Sequence, residues 1–262
     1  LGIDFTSGST ITYRWDDKPP IQDEISNAIE NAGFEDSIVQ SLGNNEFYIR
    51  TSDLGVNGKD LIDTQLEIIV GEKPVTLDTN TVGSSVAENT IRNSIIAVFI
   101  SSFFVMLYII YAFRNIEKSY LYAIAAILTL IHDVFLVMGL FIIISLFLGS
   151  TVNSIFIVGI LTVIGYSVND TIVIFDRIRE NITINKSMEL LSIVNKSVNE
   201  SITRSLGTSI TTSIVILSML LFGGQSLRDF LLVLLLGVII GTYSSIFVAS
   251  NLLLVWKYGF RK

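Results

Sequence analysis

The sequence predicts a membrane protein in which a small soluble α+β domain precedes an α-helical transmembrane bundle. Half of the 262 residues are hydrophobic and only 16% are charged, whereas a soluble domain carries about 25% charged residues. The charges are divided unevenly, because residues 1–92 hold 16 acidic and 6 basic side chains while residues 93–262 hold 8 and 11. An acidic domain at 1–86 and a transmembrane domain at 87–262 follow from this division.

Strand patterns occur in three parts of the first domain. The segment STITYRW (9–15) alternates apolar and polar residues, which predicts a half-buried strand. SIVQSL and EFYIRT flank the turn GNN as the two strands of a β-hairpin do. The segment PVTLDTNTV (74–82) supplies the closing strand.

Two helices are predicted between these strands. The first begins after Pro19 and Pro20, ends at Gly33, and has an apolar face made of Ile21, Ile25, Ala28 and Ile29. The second covers GKDLIDTQLEIIVG, and its apolar face consists of Leu61, Ile62, Leu66 and Ile69. The resulting order β-α-β-β-α-β is that of a ferredoxin-like domain.

Five apolar runs follow the soluble domain. Each is close to or longer than the ~20 residues that a helix needs to cross the hydrocarbon core. The predicted spans are 89–113, 119–148, 152–175, 202–222 and 230–256.

The loops between the spans predict the orientation. Basic residues are concentrated in 114–120, in 176–201 and in the tail KYGFRK, while the loops on the opposite side carry only Arg228. By the positive-inside rule the basic loops and the C-terminus are cytoplasmic, so the acidic domain is extracytoplasmic. Because the chain starts with Leu1 rather than Met, we expect a further span to precede this domain in the native protein.

The basic segment 176–201 has a helical pattern of its own. Its apolar residues recur at helical spacing opposite Asn195, Lys196 and Glu200, at Met188, Leu191, Val194, Val198 and Ile202. This pattern predicts an amphipathic helix that lies on the inner membrane surface, with a docking surface as the alternative.

Two acidic residues fall inside the predicted spans. Asp133 lies near the centre of its run, and Asp170 lies about 7 residues, or ~10 Å, beyond the centre of the next one. A charge at such depth costs ~2.5–3.5 kcal/mol on insertion scales, and such residues usually face the bundle interior and mark ion or proton paths. The alternative is a neutral acid that only forms hydrogen bonds to neighbouring helices. His132, beside Asp133, could join such a path or be a packed neutral ring.

Polar and small residues surround Asp170 in the helical projection. Tyr166 and Asn169 share its helix face, together with Gly159 and Thr162. The next span begins with Arg204, whose depth is within about 5 Å of that of Asp170. An Asp170–Arg204 pair is therefore predicted, although snorkelling of the arginine to lipid phosphates explains its position equally well.

Hydroxyl groups dominate the span that contains Arg204. Ser205, Ser209 and Ser213 form an i, i+4 ridge, with Thr208 and Thr212 beside it. Such a ridge either lines an ion path or lets helices pack closely, and the same two interpretations apply to GTYSS (241–245).

Four motifs in order resemble those of SecF, a subunit of the SecD–SecF protein-export complex. They are LGIDFTSG (1–8), the His132–Asp133 pair, GYSVNDTIVIFDRIREN (165–181) and TRSLGTSITT (203–212). In the first motif Ser7 stands where the family often has a second glycine. The resemblance covers the whole chain and leaves open whether the native chain is a separate SecF or part of a SecD–SecF fusion.

This resemblance implies a half-transporter related to the RND exporters, with SecD supplying the other half. It also implies that ion flow, of protons or sodium, drives the export of preprotein released from the SecYEG channel of a bacterial plasma membrane. The implicated relay residues of SecF map onto Asp170 and Arg204, and Asp133 is a further candidate. Tyr166, Asn169, Thr208 and Thr212 are the predicted supporting lining.

Other classes of function are less well supported by the sequence. With no cysteine and one histidine, a thiolate or multi-histidine metal site is excluded, no cofactor is predicted, and an acidic soluble domain does not suggest nucleic acid. An intramembrane aspartyl protease needs two carboxyl groups at one water, whereas Asp133 and Asp170 differ in depth by ~10 Å. An exporter of small molecules or lipids and a purely structural subunit remain as alternatives.

Overall fold

The computed structural model describes residues 1–16, 19–114, 116, 118–148, 150–223 and 227–258. The chain forms two compact units. The first consists of Leu1–Ser94 together with Thr151–Ser154, and the second of Ile95–Ser150 together with the chain from Ile155 onwards. The end of the predicted basic tail, 259–262, lies outside the described residues.

The first unit is built on one antiparallel sheet. Its strands are β1 (Gly8–Arg14), β2 (Ile38–Gly43), β3 (Glu46–Thr51) and β4 (Val75–Val82). The spatial order is β2-β3-β1-β4, with β1 paired to both β3 and β4. This is the strand order that a split β-α-β-β-α-β chain produces, so the predicted ferredoxin-like topology is confirmed.

Helices α2 (Gln22–Asn31) and α3 (Gly58–Val70) cover this sheet. Aliphatic residues at helical spacing on these helices join Trp15 and the inward-facing residues of β1 and β3 in one apolar core. The fully buried members from the helices are Ile25, Ala28, Ile29, Ile62 and Leu66. A short additional helix, α1 (Ile3–Thr6), precedes β1.

The predicted core face of α3 is wrong at two of its four positions. Leu61 is 53% exposed and Ile69 is 36% exposed, whereas Asp63 is buried. The side chain of Asp63 accepts hydrogen bonds from Tyr13 Oη and, at 2.8 Å, from Lys59 Nζ. A carboxylate with two hydrogen-bond donors can be buried beside Ile62. The buried face of α3 is therefore centred on Ile62, Asp63 and Leu66, and Leu61 and Ile69 lie outside it.

The N-terminal motif LGIDFTSG is tied to residues 151–154 within the first unit. The backbone amide and the hydroxyl of Ser154 both donate to Asp4 Oδ2 at 2.7 Å. The Gly2 amide also donates to the Val152 carbonyl at 2.6 Å. A carboxylate that accepts from the first residue of a helix satisfies one of its free amides, so Asp4 caps the helix that begins at Ser154.

Five long apolar helices contain the predicted spans. They are α4 (Ser84–Ala112), α5 (Ser119–Leu148), α6 (Ser154–Ile184), α7 (Leu190–Phe222) and the pair α8 (Arg228–Ser244) and α9 (Ser250–Tyr258). A π-helical turn, Ser245–Ala249, joins α8 to α9.

The predicted surface helix at 176–201 does not exist as a separate element. Residues 176–184 continue α6, and residues 190–201 form the beginning of α7. Ile193, Val194 and Ser197 are buried, whereas Met188 and Leu191 are exposed. The α7 extension therefore turns its small and apolar side toward α6 rather than toward lipid headgroups.

Candidate ion-coupling site in the second unit

Helix α6, which carries Asp170, is one of the two most buried spans. Half of its most apolar window is buried, compared with 28% for α5 and 17% for α7. Its buried residues include the polar side chains of Ser167, Asp170 and Thr171. Buried polar side chains need hydrogen-bond partners, and neighbouring helices supply them here.

Helices α6 and α8 run parallel and meet through small side chains. The facing pairs recur every four residues along both helices, at Gly159–Val233, Val163–Gly237, Ser167–Gly241 and Thr171–Ser245. Small residues in such rows let membrane helices approach closely. A Cβ on Gly241 would lie 3.1 Å from the Cα of Ser167, so the two backbones almost touch at this level.

Asp133 of α5 is held by hydroxyl groups from α6 and α8. Ser167 Oγ donates to Asp133 Oδ2 at 2.5 Å, and Ser244 Oγ donates to the same oxygen at 2.7 Å. Nδ1 of His132 lies 3.0 Å from Oδ1 and donates to it when Nδ1 carries the proton. Because Asp133 is only 1% exposed, this buried carboxylate joins three helices and has a donor at each oxygen.

Asp170 of α6 has a weaker set of partners. Thr242 Oγ1 of α8 lies 3.3 Å from Asp170 Oδ2, 2.8 Å from the Val238 carbonyl oxygen and 2.5 Å from Ser209 Oγ of α7. A threonine hydroxyl has one proton, so it donates to one of these oxygens at a time. When Thr242 donates to Val238, a bond between Thr242 and Asp170 requires a proton on the carboxyl group. The geometry thus suits Asp170 as an acceptor and, when protonated, as a donor.

The two carboxylates have separate partners. Ser167 and Ser244 serve Asp133, whereas Thr242 serves Asp170. Within the part of the chain that the structure describes, no hydrogen bond joins the two carboxyl groups, and no cluster of acids and histidines could hold a metal ion.

The predicted ion pair between Asp170 and Arg204 is not formed in this structure. Arg204 is exposed on α7, and the ion pairs found within 4.0 Å among the described residues do not include it. Its positive charge nevertheless acts on Asp170 through space. Arg204 therefore lies near the carboxylate without direct contact.

The four predicted lining residues differ in their relation to Asp170. Tyr166 Oη donates to Ser209 Oγ at 3.3 Å, which joins it to the Thr242 network. Asn169 and Thr208 are exposed, and Thr212 is half-buried. The hydroxyls of Thr208 and Thr212 donate to carbonyl groups of their own helix. Of these four, Tyr166 is the residue that the described hydrogen bonds connect to Asp170.

Ser167 is absent from the predicted site, although it holds Asp133. Its signal in the sequence is its position one turn before Asp170 and Thr171, in a row of small residues at four-residue spacing. Thr242 and Ser244 belong to GTYSS, for which close packing and hydroxyl lining are both predicted. The structure shows both, because Gly241 approaches Ser167 while Thr242 and Ser244 bond to the acids.

The fold defines a class: a multispan membrane protein with a transporter-type helical bundle and one ferredoxin-like domain. The family model for the C-terminal region of the protein export membrane proteins SecD and SecF matches residues 64–259. This chain therefore belongs to the SecD/SecF family of protein export membrane proteins.

Relatives of similar length are named protein translocase subunit SecF. The subunit of Anaerolinea thermophila is 33% identical over 99% of this chain and 85% of its own length. That of Magnetococcus marinus is 39% identical over 100% of this chain and 84% of its own length.

The fold also matches a solved structure of a fused protein. The crystal structure of SecDF, a translocon-associated membrane protein from Thermus thermophilus, superimposes with a TM-score of 0.83 at 33% identity. The match covers 97% of this chain and 34% of SecDF, so this chain spans about a third of the fused protein. The bundle accordingly has the RND-like transporter fold of SecDF.

Proposed function

We propose that this chain is a protein translocase subunit that uses an ion gradient, of protons in the first instance, to promote preprotein export. One observation carries the proposal: Asp170 is buried in a membrane-spanning helix, only 3% exposed, and its hydrogen-bond partners are two hydroxyl groups, Thr242 at 3.3 Å and Ser209, which also bond to each other. A buried acid in a span is costly to keep charged, and such residues mark ion pathways. The family membership supports export as the work to which the ion movement is coupled.

Asp170 is the proposed carrier of the proton. In the ionised state it accepts from Thr242, and in the protonated state it donates to Thr242, whose own proton then goes to the Val238 carbonyl. Each change of protonation therefore reverses the bond between α6 and α8. Ser209 of α7 is hydrogen-bonded to Thr242, so a change in the direction of the Thr242 bond also affects the contact between α7 and α8.

Arg204 is the proposed counter-charge. Its positive charge would favour the ionised carboxylate on approach, and among the described residues no ion pair within 4.0 Å locks it to Asp170. A direct pair would hold Asp170 permanently charged, whereas a charge at a distance allows the carboxyl group to take up and release a proton. Movement of Arg204 toward or away from Asp170 then links helix position to protonation.

Asp133 has a different proposed role. Because hydroxyls from α6 and α8 already occupy its buried carboxylate, it is suited to join α5 to those helices rather than to carry ions. Asp133 bonds to Ser244 of α8, the helix that also carries Thr242, and so helps to hold the partner of Asp170 in position.

The orientation and the partners belong to the same proposal. The basic loops support a cytoplasmic side at 114–120 and at the α6–α7 turn, which puts the sheet domain on the extracytoplasmic side of the bacterial plasma membrane. SecD, the SecYEG channel, the translocating preprotein and the surrounding lipid are the proposed partners. SecD is suggested because the chain spans a third of the fused SecDF protein.

The test uses membrane vesicles that contain the complete translocation complex and a trapped preprotein intermediate. We expect an imposed proton gradient to accelerate completion of transit in wild type, and neither Asp170→Asn nor Arg204→Met to respond to it. A charge moved through 100 mV is worth ~2.3 kcal/mol, which sets an upper limit of about 50-fold on the bias. Asp176→Asn is the matched control, because Asp176 is an exposed acid on the same helix.

Equal gradient stimulation in wild type and Asp170→Asn would refute the proposal. A response of wild type to a sodium gradient, with no response to a proton gradient, would keep Asp170 in its role but change the ion. Loss of stimulation in Asp176→Asn as well would show that the assay reports general damage to α6.

A further inference from the structure

We propose that the second half of the GYSVNDTIVIFDRIREN motif is a register clamp, which sets the level of Arg204 on α7 relative to Asp170 on α6. The clamp consists of Arg177 and Asn181 on α6 and Ser197 and Glu200 on α7. The inference rests on the proposed function, since the register matters because Asp170 and Arg204 act together.

Asn181 is the centre of this clamp. It is 2% exposed, and its amide nitrogen donates to Ser197 Oγ at 2.9 Å and to Glu200 Oε2 at 2.8 Å. Glu200 Oε2 also accepts from Arg177 Nε at 2.7 Å. Ser197 Oγ lies 2.8 Å from the Ile193 carbonyl of its own helix and 3.3 Å from the Arg177 carbonyl of α6. Each polar group of the clamp thus has a partner on the opposite helix.

A one-turn slip between α6 and α7 would break all of these contacts. The buried amide of Asn181 would then face an apolar or unmatched position, and a buried polar group without a partner costs about 1–3 kcal/mol. A single buried asparagine specifies helix register in coiled coils for the same reason. The exposed Arg177–Glu200 ion pair alone would not suffice, because such pairs contribute little.

The register of α6 against α7 set by the clamp extends along both helices to the level of Asp170. Asn181 meets Ser197 at the turn between the helices, and Tyr166 meets Ser209 farther along the same antiparallel pair. Arg204 lies between these two contacts on α7. Counting from the two contacts puts its level beside residues 171–174 of α6, within about one helical turn, or ~6 Å, of Asp170.

The clamp therefore fixes the backbone level of Arg204 relative to Asp170. With the clamp closed, only the flexible arginine side chain can change its distance to the carboxylate, whereas a slip of the helices would change the level itself. Asn181 is thus a positioning residue, which acts on Asp170 through the location of Arg204.

The clamp can be tested by measuring the register itself. The chain contains no cysteine, so nitroxide labels can be placed uniquely at Thr162→Cys on α6 and Val215→Cys on α7, both at exposed positions. Asn181→Leu removes the polar contacts while it keeps an apolar side chain of similar size. Asn195→Leu is the matched control, because Asn195 is an exposed asparagine on the same stretch of α7.

We expect one narrow label distance in wild type and in Asn195→Leu, in the complete complex. Asn181→Leu should add a second population displaced by up to one turn, ~5 Å. Glu200→Arg should do the same, because it sets two arginines against each other, and the double variant Arg177→Glu/Glu200→Arg should restore the single distance, since it removes this repulsion and keeps the Asn181–Ser197 bond. The Asn181 amide can rotate to accept from the new arginine.

Gradient-stimulated preprotein transit should follow the label distances in these variants. Unchanged distances in Asn181→Leu would overturn the clamp, whatever the transport result. A displaced register with full gradient stimulation would overturn its role in coupling. Failure of the proposed function is distinguished from both, because it would appear as normal stimulation in Asp170→Asn, a variant in which the clamp is intact.

Discussion

Substitution of Gly237 by alanine should force α8 away from α6. A Cβ at this position would overlap Val163 Cγ2 and would also lie 2.7 Å from Val163 Cγ1 and 2.9 Å from Val163 Cβ, whereas carbon atoms pack best at about 3.5–4.0 Å. Valine cannot turn aside, because its branched side chain has one strongly preferred rotamer in a helix. The helices must therefore separate by roughly 1 Å, and overpacking of this kind costs about 1–3 kcal/mol.

Alanine substitutions at three other glycines provide a graded comparison. Alanine at Gly159 would place its Cβ 2.9 Å from Val233 Cγ1, and at Gly241 3.1 Å from the Ser167 Cα, so both changes should cost less than Gly237→Ala. Gly165→Ala is the control on α6, because nothing lies within 4 Å of its Cβ position. Alanine is favoured over glycine in a helix by about 1 kcal/mol, so this variant should be as stable as wild type or more stable.

The assay is thermal unfolding of the purified protein in detergent, followed by far-UV circular dichroism. We expect the midpoint to fall most for Gly237→Ala, to fall less for Gly159→Ala and Gly241→Ala, and to stay or rise for Gly165→Ala. If Gly237→Ala unfolds at the same temperature as Gly165→Ala, the close α6–α8 packing on which the Asp133 contacts depend is refuted.

Two further predictions concern the first unit. Burial, and then the bond to Asp63, raises the pKa of Tyr13 above its usual value near 10, so the stabilisation from the neutral phenol is complete below pH ~10 and is lost as pH rises beyond it. Tyr13→Phe should remove this alkaline loss and cost about 1–3 kcal/mol at neutral pH, because Asp63 loses a donor. Urea unfolding at several pH values measures both effects. An alkaline loss that persists in Tyr13→Phe would contradict the assignment. Ser7 has φ 59°, a backbone conformation that favours glycine, so Ser7→Gly should raise the stability by about 1 kcal/mol, and a lower urea midpoint would contradict this.

Much of the fold could be predicted because its elements are strongly periodic. The strand beginning at Ser9 and the hairpin around GNN were predicted to within one or two residues, since strict alternation leaves little choice of register. The α3 face could not be predicted correctly, because Asp63 looks like a solvent-facing residue until Tyr13 and Lys59 are brought to it. The prediction of a separate surface helix at 176–201 is wrong for a similar reason, because nothing in the local sequence shows that Asn181 is buried against α7.

The two acids could be singled out from the sequence because a carboxylate in an apolar span is rare and requires buried partners, whichever residues supply them. Their partners could not, because the rotation of each helix decides which hydroxyl meets which acid. The two partners on α8, Thr242 and Ser244, are two residues apart. Residues two apart on a helix do not face the same way, so Asp170 and Asp133 bond to different sides of α8. Under the proposed function, Asp170 can therefore exchange its proton while the Asp133 contacts keep α5 and α8 together.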